Sequence, residues 1–379
     1  MAKGPLRVGM VGANPGRGWG SGVHRRVVEF LPEYTLQAVC TTRRETAEAA
    51  AQEFGAPLAF DNSADLVAHP DVDLVSVCVK APYHYDIVRG ALAAGKHVYC
   101  EWPLALTMDQ VHELERMAAA SASKAMLGLH LQGSPVHRYA AGLIADGFIG
   151  EVYGVNLHVR IYGPMSAPMA VRSGGTTLLT IYGGHLLDAV DHYYGGVAEM
   201  DARSVMHLPP VDETGAAVDR DAPDHLLMHG TLGNGAPFSI DLAGASLAGM
   251  GSVWRIDGTQ GSLILSSRDP ALHAMETLTL SGGRVGEAIR PLPVPAAFDC
   301  AAIPPAPDRY PAYPGMDASR EALAAIGNLY SDLAKAVAGD LPVQPGFSRA
   351  ARIQQMLAAI DRVPTRSANN TAPQEGEYA

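Results

Sequence analysis

Tyr182 and His185 stand three residues apart in the stretch Gly174-Gly175-Thr176-Thr177-Leu178-Leu179-Thr180-Ile181-Tyr182-Gly183-Gly184-His185-Leu186-Leu187-Asp188. That stretch opens a helix, and at this spacing both side chains share one helix face. A helix N-terminus keeps an imidazole neutral, ready to act as a base or donor. A capped core histidine would leave the same pattern. Asp188, Asp191 and His192 follow among apolar residues, where capping and helix pairing are the expected roles, so no metal site is expected. Arg160, Tyr162 and Arg172 flank the region. Guanidinium groups beside a phenol suit a carboxylate, sulfonate, phosphate or polyol, or they brace a loop. His130 and Gln132 mark the point where the pattern of the chain changes, and they point toward the expected cleft.

A second set of residues is built for phosphate. Gly12-Ala13-Asn14-Pro15-Gly16-Arg17-Gly18-Trp19-Gly20-Ser21-Gly22 lies between an apolar strand and an amphipathic run. Glycines there let the backbone approach a pyrophosphate at the positive end of a helix, and Arg17 offers a partner for its oxygens. The spacing is not the strict G-x-G-x-x-G, so the context of strand, loop and helix carries the reading. The place where an acid would hold the adenosine ribose reads Thr41-Thr42-Arg43-Arg44. Without a carboxylate, a 2′-phosphate is tolerated, and NAD and NADP stay equal. A solvated basic turn is the alternative.

Two further strand ends carry groups of interest. Val79-Lys80-Ala81-Pro82-Tyr83-His84 follows the third strand, where the nicotinamide half would pass, and Lys80 is the only lysine between Lys3 and Lys96. It is read as a positioned ammonium or as a surface lysine. His97-Val98-Tyr99-Cys100 leads to Glu101-Trp102-Pro103. A hydride-transferring fold usually places a proton carrier at such a strand end, and Trp102 has no titratable proton.

The elements that must hold these groups fall into two patterns. Strands at 6–12, 36–40, 74–79, 97–100 and 125–129 alternate with helices at 23–31, 46–54, 85–94 and 108–120. That alternation predicts parallel βαβ units in a doubly wound sheet. After His130 come a helix at 138–146 and strands at 151–162, 201–207, 225–232, 238–242, 254–257, 262–265 and 276–280, then helices at 318–338 and 349–362. This is an antiparallel sheet with helices. The fold class expected is α/β, an N-terminal Rossmann domain (1–129) plus a C-terminal α+β domain (130–364) with an open, mostly antiparallel sheet. Residues 291–314 are expected to be irregular and 365–379 to form a polar tail.

Composition narrows the function classes. The chain has 379 residues, 47% hydrophobic and 18% charged, with a formal charge of −11. The length fits two domains, and the acidic balance argues against nucleic acid and anionic membranes as partners. No apolar run reaches the roughly 18 residues that span a bilayer, and the start runs straight into a strand without a leader pattern. Cys40, Cys78, Cys100 and Cys300 lack C-x-x-C spacing and read as free thiols of a cytoplasmic protein.

Several of these stretches together resemble the Gfo/Idh/MocA family of sugar and cyclitol oxidoreductases. They are the glycine loop, Val79 to His84, Ala91-Leu92-Ala93-Ala94-Gly95-Lys96-His97-Val98, Glu101-Trp102-Pro103, Ile149-Gly150-Glu151-Val152 and Gly183-Gly184-His185-Leu186-Leu187-Asp188. Pro223-Asp224-His225-Leu226-Leu227 and Gly258-Thr259-Gln260-Gly261 are similar to the branch of the fungal galactose-regulon repressor. The resemblance implies NAD or NADP as cofactor, a sugar or glycoside ligand and assembly as a homodimer or homotetramer. Cofactor contacts are expected at Gly12, Asn14, Gly16, Arg17, Gly18, Trp19, Thr42, Arg43, Val79, Lys80, Pro82, His84, Glu101 and Trp102.

The family pattern places a catalytic lysine between the glutamate and proline, and an aspartate four residues before the histidine. Here those positions are Trp102 and Ile181. Losing a positioned base costs ~10²–10⁴ in rate, so another group must act if the chain is an enzyme. The assignment that follows makes His185 the base, with Tyr182 as relay and Lys80 as a further substitute. Arg160, Tyr162, Arg172 and His130 hold the ligand, and Trp102 forms an apolar wall. Three activities share that layout: net oxidation of a ring hydroxyl, redox-neutral glycoside cleavage through transient oxidation, and dinucleotide-dependent sensing without catalysis.

Overall fold

The computed structural model describes residues 4–15, 18–162, 167–211, 215–246, 251–267, 277–304, 309–313, 316–360 and 365–366. The chain forms two compact units: Met1–Arg138 with Pro295–Arg352, and Tyr139–Val294 with Ile353–Ala379.

In the first unit, β1 (Leu6–Val11), β2 (Tyr34–Cys40), β3 (Leu58–Phe60), β4 (Leu74–Val77), β5 (His97–Glu101) and β6 (Ala125–Gly128) form one sheet. Its order is β3-β2-β1-β4-β5-β6 and every pairing is parallel. Helices α1 (Arg25–Phe30), α2 (Arg44–Phe54), α3 (Ser63–Ala68), α4 (His84–Ala93) and α5 (Met108–Ala119) connect the strands. All four residues of β4 are buried, as expected of a strand covered on both faces. The short β3 and α3 escaped the periodicity, because three and six residues hold too few repeats to display one. Helical structure also starts before Val23: a π-turn at Gly20–His24 runs directly into α1. The strand order reverses between β1 and β4, the switch point beside which doubly wound sheets bind ligands.

The second unit begins at Tyr139, within α7 (Pro135–Ala145), which follows α6 (His130–Gly133). It contains β7 (Val152–Tyr162), α8 (Ala167–Ala170), α9 (Gly184–Tyr193), β8 (Val197–Met206), β9 (His225–Leu232), β10 (Pro237–Ser246), β11 (Val253–Gly258), β12 (Gly261–Ser266), β13 (Thr279–Arg284) and β14 (Arg290–Pro291). The sheet order is β14-β13-β12-β11-β7-β10-β9-β8, closed at the last edge by β17 (Thr365–Arg366). Among the described residues, only the β7–β10 and β8–β17 pairings are parallel. Val155, Leu157, Val159 and Ile161 of β7 are buried, while the side chains between them face outward, so the period-two alternation sets which face packs.

Three expectations change. The sheet strand expected at 276–280 lies at Thr279–Arg284, and the proline-rich 291–314 holds β15 (Arg309–Tyr313), paired with β16 (Met316–Ser319). Helix α10 (Arg320–Gly339), grouped by sequence order with 130–364, belongs to the first unit. Its Leu323, Ile326, Leu329, Tyr330 and Leu333 share one apolar cluster with Val8, Met10, Val27 and Tyr99. Periodicity reveals an apolar stripe but not the surface that covers it. The remaining helix is α11 (Ser348–Ile360), and the polar residues 367–379 lie outside the described residues.

Candidate functional site

The loop after β1 is shaped by its glycines. Gly12 has φ +103°, and a Cβ there would lie 2.6 Å from the carbonyl oxygen of Cys78. Only glycine combines that dihedral with that approach. Gly18 also has a positive φ, with open space around it. The backbone N–H of Asn14 donates to the Gly12 carbonyl at 3.1 Å; Gly16 and Arg17 lie outside the described residues. The indole Nε1 of Trp19 is buried with no hydrogen-bond partner among the described residues. A buried donor of this kind calls for an acceptor, so loop and indole together fit a dinucleotide.

Trp19 reaches a polar cluster at the carboxyl edge of the sheet. Its ring stacks on that of His130, centroids 5.6 Å apart and planes 26° apart. His130 Nε2 donates to Glu101 Oε2 at 2.8 Å and lies 3.1 Å from Oε1. His24 Nε2 comes within 3.0 Å of Oε1, a charge contact without the alignment of a hydrogen bond. Burial alone would raise the Glu101 carboxyl. The charges of His130 and His24 and the hydrogen bonding from His130 outweigh that and hold it well below the usual carboxylate range.

The carboxylate is braced from behind. His24 Nδ1 is 3.0 Å from the Tyr330 hydroxyl, which is 2.8 Å from Ser76 Oγ. The Tyr34 hydroxyl donates to the Tyr330 carbonyl oxygen at 2.6 Å. On the neighbouring strand Glu101 is paired with Gly128, where a Cβ would sit 2.7 Å from Glu101 Oε1. Glycine at that position leaves the carboxylate its room.

Other strand ends are divided between solvent and scaffold. Lys80 is exposed at the exit of β4, ahead of a short 3₁₀ turn, and Pro82 is exposed within that turn. Val79 is half-buried, and its carbonyl oxygen lies 2.9 Å from His84 Nε2. His84 Nδ1 lies 2.7 Å from the Pro103 carbonyl oxygen. This buried imidazole, its pKa lowered by burial against those two hydrogen bonds, ties the exit of β4 to the loop after β5, where the Trp102–Pro103 peptide is cis. Trp102 is buried. At the end of β2, Thr42 and Arg43 are exposed. Arg44 is engaged by Glu48 at 2.7 Å and by the Ala59 carbonyl at 3.0 Å.

In the second unit His185 and Tyr182 are both buried. The stretch opens a helix as expected, but the helical structure begins upstream of Tyr182, so His185 is not near its start. A π-turn at Leu179–Gly183 continues straight into α9, and Thr177 Oγ1 accepts from the Thr180 N–H. The free N–H groups therefore lie two turns before His185, beyond the reach of a terminal dipole. π-turns of this kind are frequent at functional sites, and both the glycine loop and the His185 segment carry one.

The arginines are already engaged. Arg160 forks onto Asp241 at 3.0 and 2.9 Å, and His225 Nε2 contacts the same carboxylate at 2.7 Å. Arg172 donates from Nε to the Asp221 carbonyl at 3.0 Å, and its backbone N–H donates to Asp221 Oδ1. These pairings tie β7 to β10 and the Arg172 turn to Asp221. Tyr162 ends β7, and its side chain lies outside the described residues.

His24, Tyr330 and Ser76 were not singled out in the sequence. His24 falls at i, i+3, i+4 and i+7 with Val27, Val28 and Leu31, and Tyr330 occupies the stripe of Leu323, Ile326 and Leu333. A polar ring inside an apolar stripe was the available signal.

Comparisons with known proteins agree with this architecture. Residues 6–129 match the model of the Gfo/Idh/MocA oxidoreductase family with NAD-binding Rossmann fold, and residues 135–267 match that of the Gal80p C-terminal domain. The dehydrogenase aclE of Aspergillus oryzae is 30% identical over 71% of this chain and 79% of its own length. The D-glucoside 3-dehydrogenase of Escherichia coli is 29% identical over 55% of this chain and 60% of its own. The solved structure of levoglucosan dehydrogenase with NADH and levoglucosan superposes with a TM-score of 0.77 at 19% identity, covering 94% of this chain and 96% of that one. The chain belongs to the Gfo/Idh/MocA oxidoreductases, with an NAD-binding Rossmann unit followed by a second unit of the Gal80p C-terminal type.

Proposed function

We propose that this protein is an NAD- or NADP-dependent oxidoreductase acting on a hydroxyl group of a sugar or glycoside. The observation that carries the reading is the glycine-shaped loop after β1, with a buried indole donor that has no acceptor among the described residues, inside a family with an NAD-binding Rossmann fold. A sugar-acting relative supports the substrate class. A bound dinucleotide supplies the hydride acceptor. The protein's own part is to hold the sugar and receive the hydroxyl proton. His185 takes that proton with Tyr182 as relay, because Trp102 has none to exchange, and Lys80, exposed at the exit of β4, is a further substitute. Trp102 walls the site, Gly12 and Trp19 hold the pyrophosphate region, and Arg43 faces the adenosine end.

Trp102 in place of a lysine favours a second reading in which no net oxidation accumulates. Transient oxidation would acidify the neighbouring C–H, the aglycone would leave, water would add and the hydride would return. A third reading, a dinucleotide-dependent regulator, draws on the Gal80p-type second unit.

One assay separates them. The full chain with NAD or NADP is offered a panel of sugars and nitrophenyl glycosides while reduced cofactor and released nitrophenol are followed. Net reduced cofactor is the result expected of the oxidoreductase. Nitrophenol without net reduction selects the redox-neutral hydrolase. Bound dinucleotide with neither signal selects the regulator.

A further inference from the structure

We propose that His130, oriented by Glu101, is an acid–base group of this protein and supplies from the Rossmann unit the proton exchange that Trp102 cannot. The proposal rests on the oxidoreductase reading and deepens it. It assigns the proton to His130 in place of His185.

Position comes first. Glu101 ends β5 and His130 follows β6 by two residues, so both stand at the carboxyl edge of the parallel sheet. Ligands of doubly wound folds bind along that edge. Trp19 brings the glycine loop onto the face of the His130 ring. The cluster therefore adjoins the loop that fits the dinucleotide and lies one residue from the position a lysine holds in the family pattern.

Chemistry comes second. A carboxylate that accepts from one imidazole nitrogen fixes the ring's tautomer and orientation and stabilises the imidazolium once formed. Glu101 holds His130 Nε2 in this way with both oxygens in range. Its own position is over-determined by His24, by the Tyr330–Ser76 chain behind His24 and by the space at Gly128. The titratable groups around the pair are His24 from the π-turn, Tyr99 and Cys100 from β5, Cys78 and His84 beyond β4, and Tyr330 from α10. Burial keeps Tyr99, Cys100, Cys78 and Tyr330 neutral and disfavours a charge on His84. Glu101 is the anion of the set, and the imidazoles are its partners.

The step balances simply. As the C–H of a secondary alcohol leaves with its electron pair for an oxidised nicotinamide dinucleotide, the C–O bond becomes C=O. The hydroxyl proton passes to the imidazole, giving an imidazolium on the Glu101 carboxylate. Reduction runs the same transfers backward.

Two measurements on the full chain test this. The first needs no turnover. An imidazolium stacked on an indole quenches its fluorescence, so tryptophan emission followed against pH reports the protonation of His130. The expected transition disappears in Trp19→Phe and in His130→Gln. In Glu101→Gln it moves to lower pH by at least about one unit, the usual effect of losing an adjacent opposite charge. An unmoved transition in Glu101→Gln overturns the proposal.

The second is the pH profile of kcat/KM with dinucleotide and an accepted sugar. His130→Gln is expected to lower kcat/KM by ~10²–10⁴ and flatten its acid limb, with dinucleotide affinity retained. His185→Gln keeps that limb. A limb that persists in His130→Gln but vanishes in His185→Gln overturns this assignment and leaves the oxidoreductase reading standing. A wild-type chain that binds dinucleotide and reduces none with any sugar overturns both.

Discussion

The ring of Tyr330 lies flat on the ring of Tyr99, centroids 4.5 Å apart and planes 8° apart, although 231 residues separate them (330 − 99). Offset aromatic stacking of this kind adds about 0.5–1.5 kcal/mol beyond simple burial. It also locks the hydroxyl of Tyr330 beneath the sheet, between His24 Nδ1 and Ser76 Oγ. A helix from the far end of the chain thus holds the imidazole that faces Glu101.

Tyr330→Phe keeps the stack and deletes the hydroxyl. Ser76 and His24 then lose a buried partner, a loss that typically costs ~1–3 kcal/mol. Because Ser76 Oγ also lies 3.3 Å from Cys78 Sγ, the lower end of that range is expected. Urea unfolding should show a lower midpoint with an unchanged slope, and an unaltered midpoint would mean the hydroxyl chain carries no stability.

Gly128→Ala puts a methyl group 2.7 Å from Glu101 Oε1. The carboxylate must give way, because the alternative is to pull a pair of hydrogen-bonded strands apart. Crowding a packed interior costs ~1–3 kcal/mol. The His130 contact should loosen with it, and the signature is a change in the pH dependence of tryptophan emission alongside the loss of stability. Lower stability with the emission curve intact would show that the strands move instead.

Arg43 faces solvent at the end of β2, while its neighbour Arg44 is bound to Glu48. Arg43→Glu therefore introduces the carboxylate that a ribose diol prefers and repels a 2′-phosphate. Titration with both dinucleotides should show NADP weakened by about tenfold or more, near 1.4 kcal/mol, and NAD held or improved. Equal losses for both would place the adenosine end elsewhere.

His137 is buried, and burial pushes its pKa down to about 3. The unfolded chain takes up a proton below the ordinary imidazole value near 6.5, while the folded chain refuses it. Stability is thus complete above that value and falls as the pH drops from about 6.5 toward 3. His84 contributes in the same direction, since burial lowers it too. His137→Gln should make the fall shallower without abolishing it, measured as unfolding free energy between pH 7 and pH 4. A slope equal to that of the wild type would show that His137 is protonated without unfolding.

Local order in the sequence determined a large share of this molecule. The apolar strands at 74–79 and 97–100, the helices between them and the glycines at 12–22 are set by patterns that repeat within a few residues. The parallel sheet and its cofactor loop could therefore be read directly, and so could the alternation of β7, which assigns its two faces. Tertiary structure alone decided the partners. Arg160 could have been left unpaired at the end of β7 and instead meets Asp241. His185 could have capped a helix and instead follows a π-turn that begins upstream. Glu101, His24, His130 and Tyr330 could have been four unrelated side chains. They meet because α10 returns to the first unit and β6 runs beside β5. Periodicity encodes which face of an element is apolar. Which distant element covers that face depends on summed packing over the whole chain, and no local spacing records it.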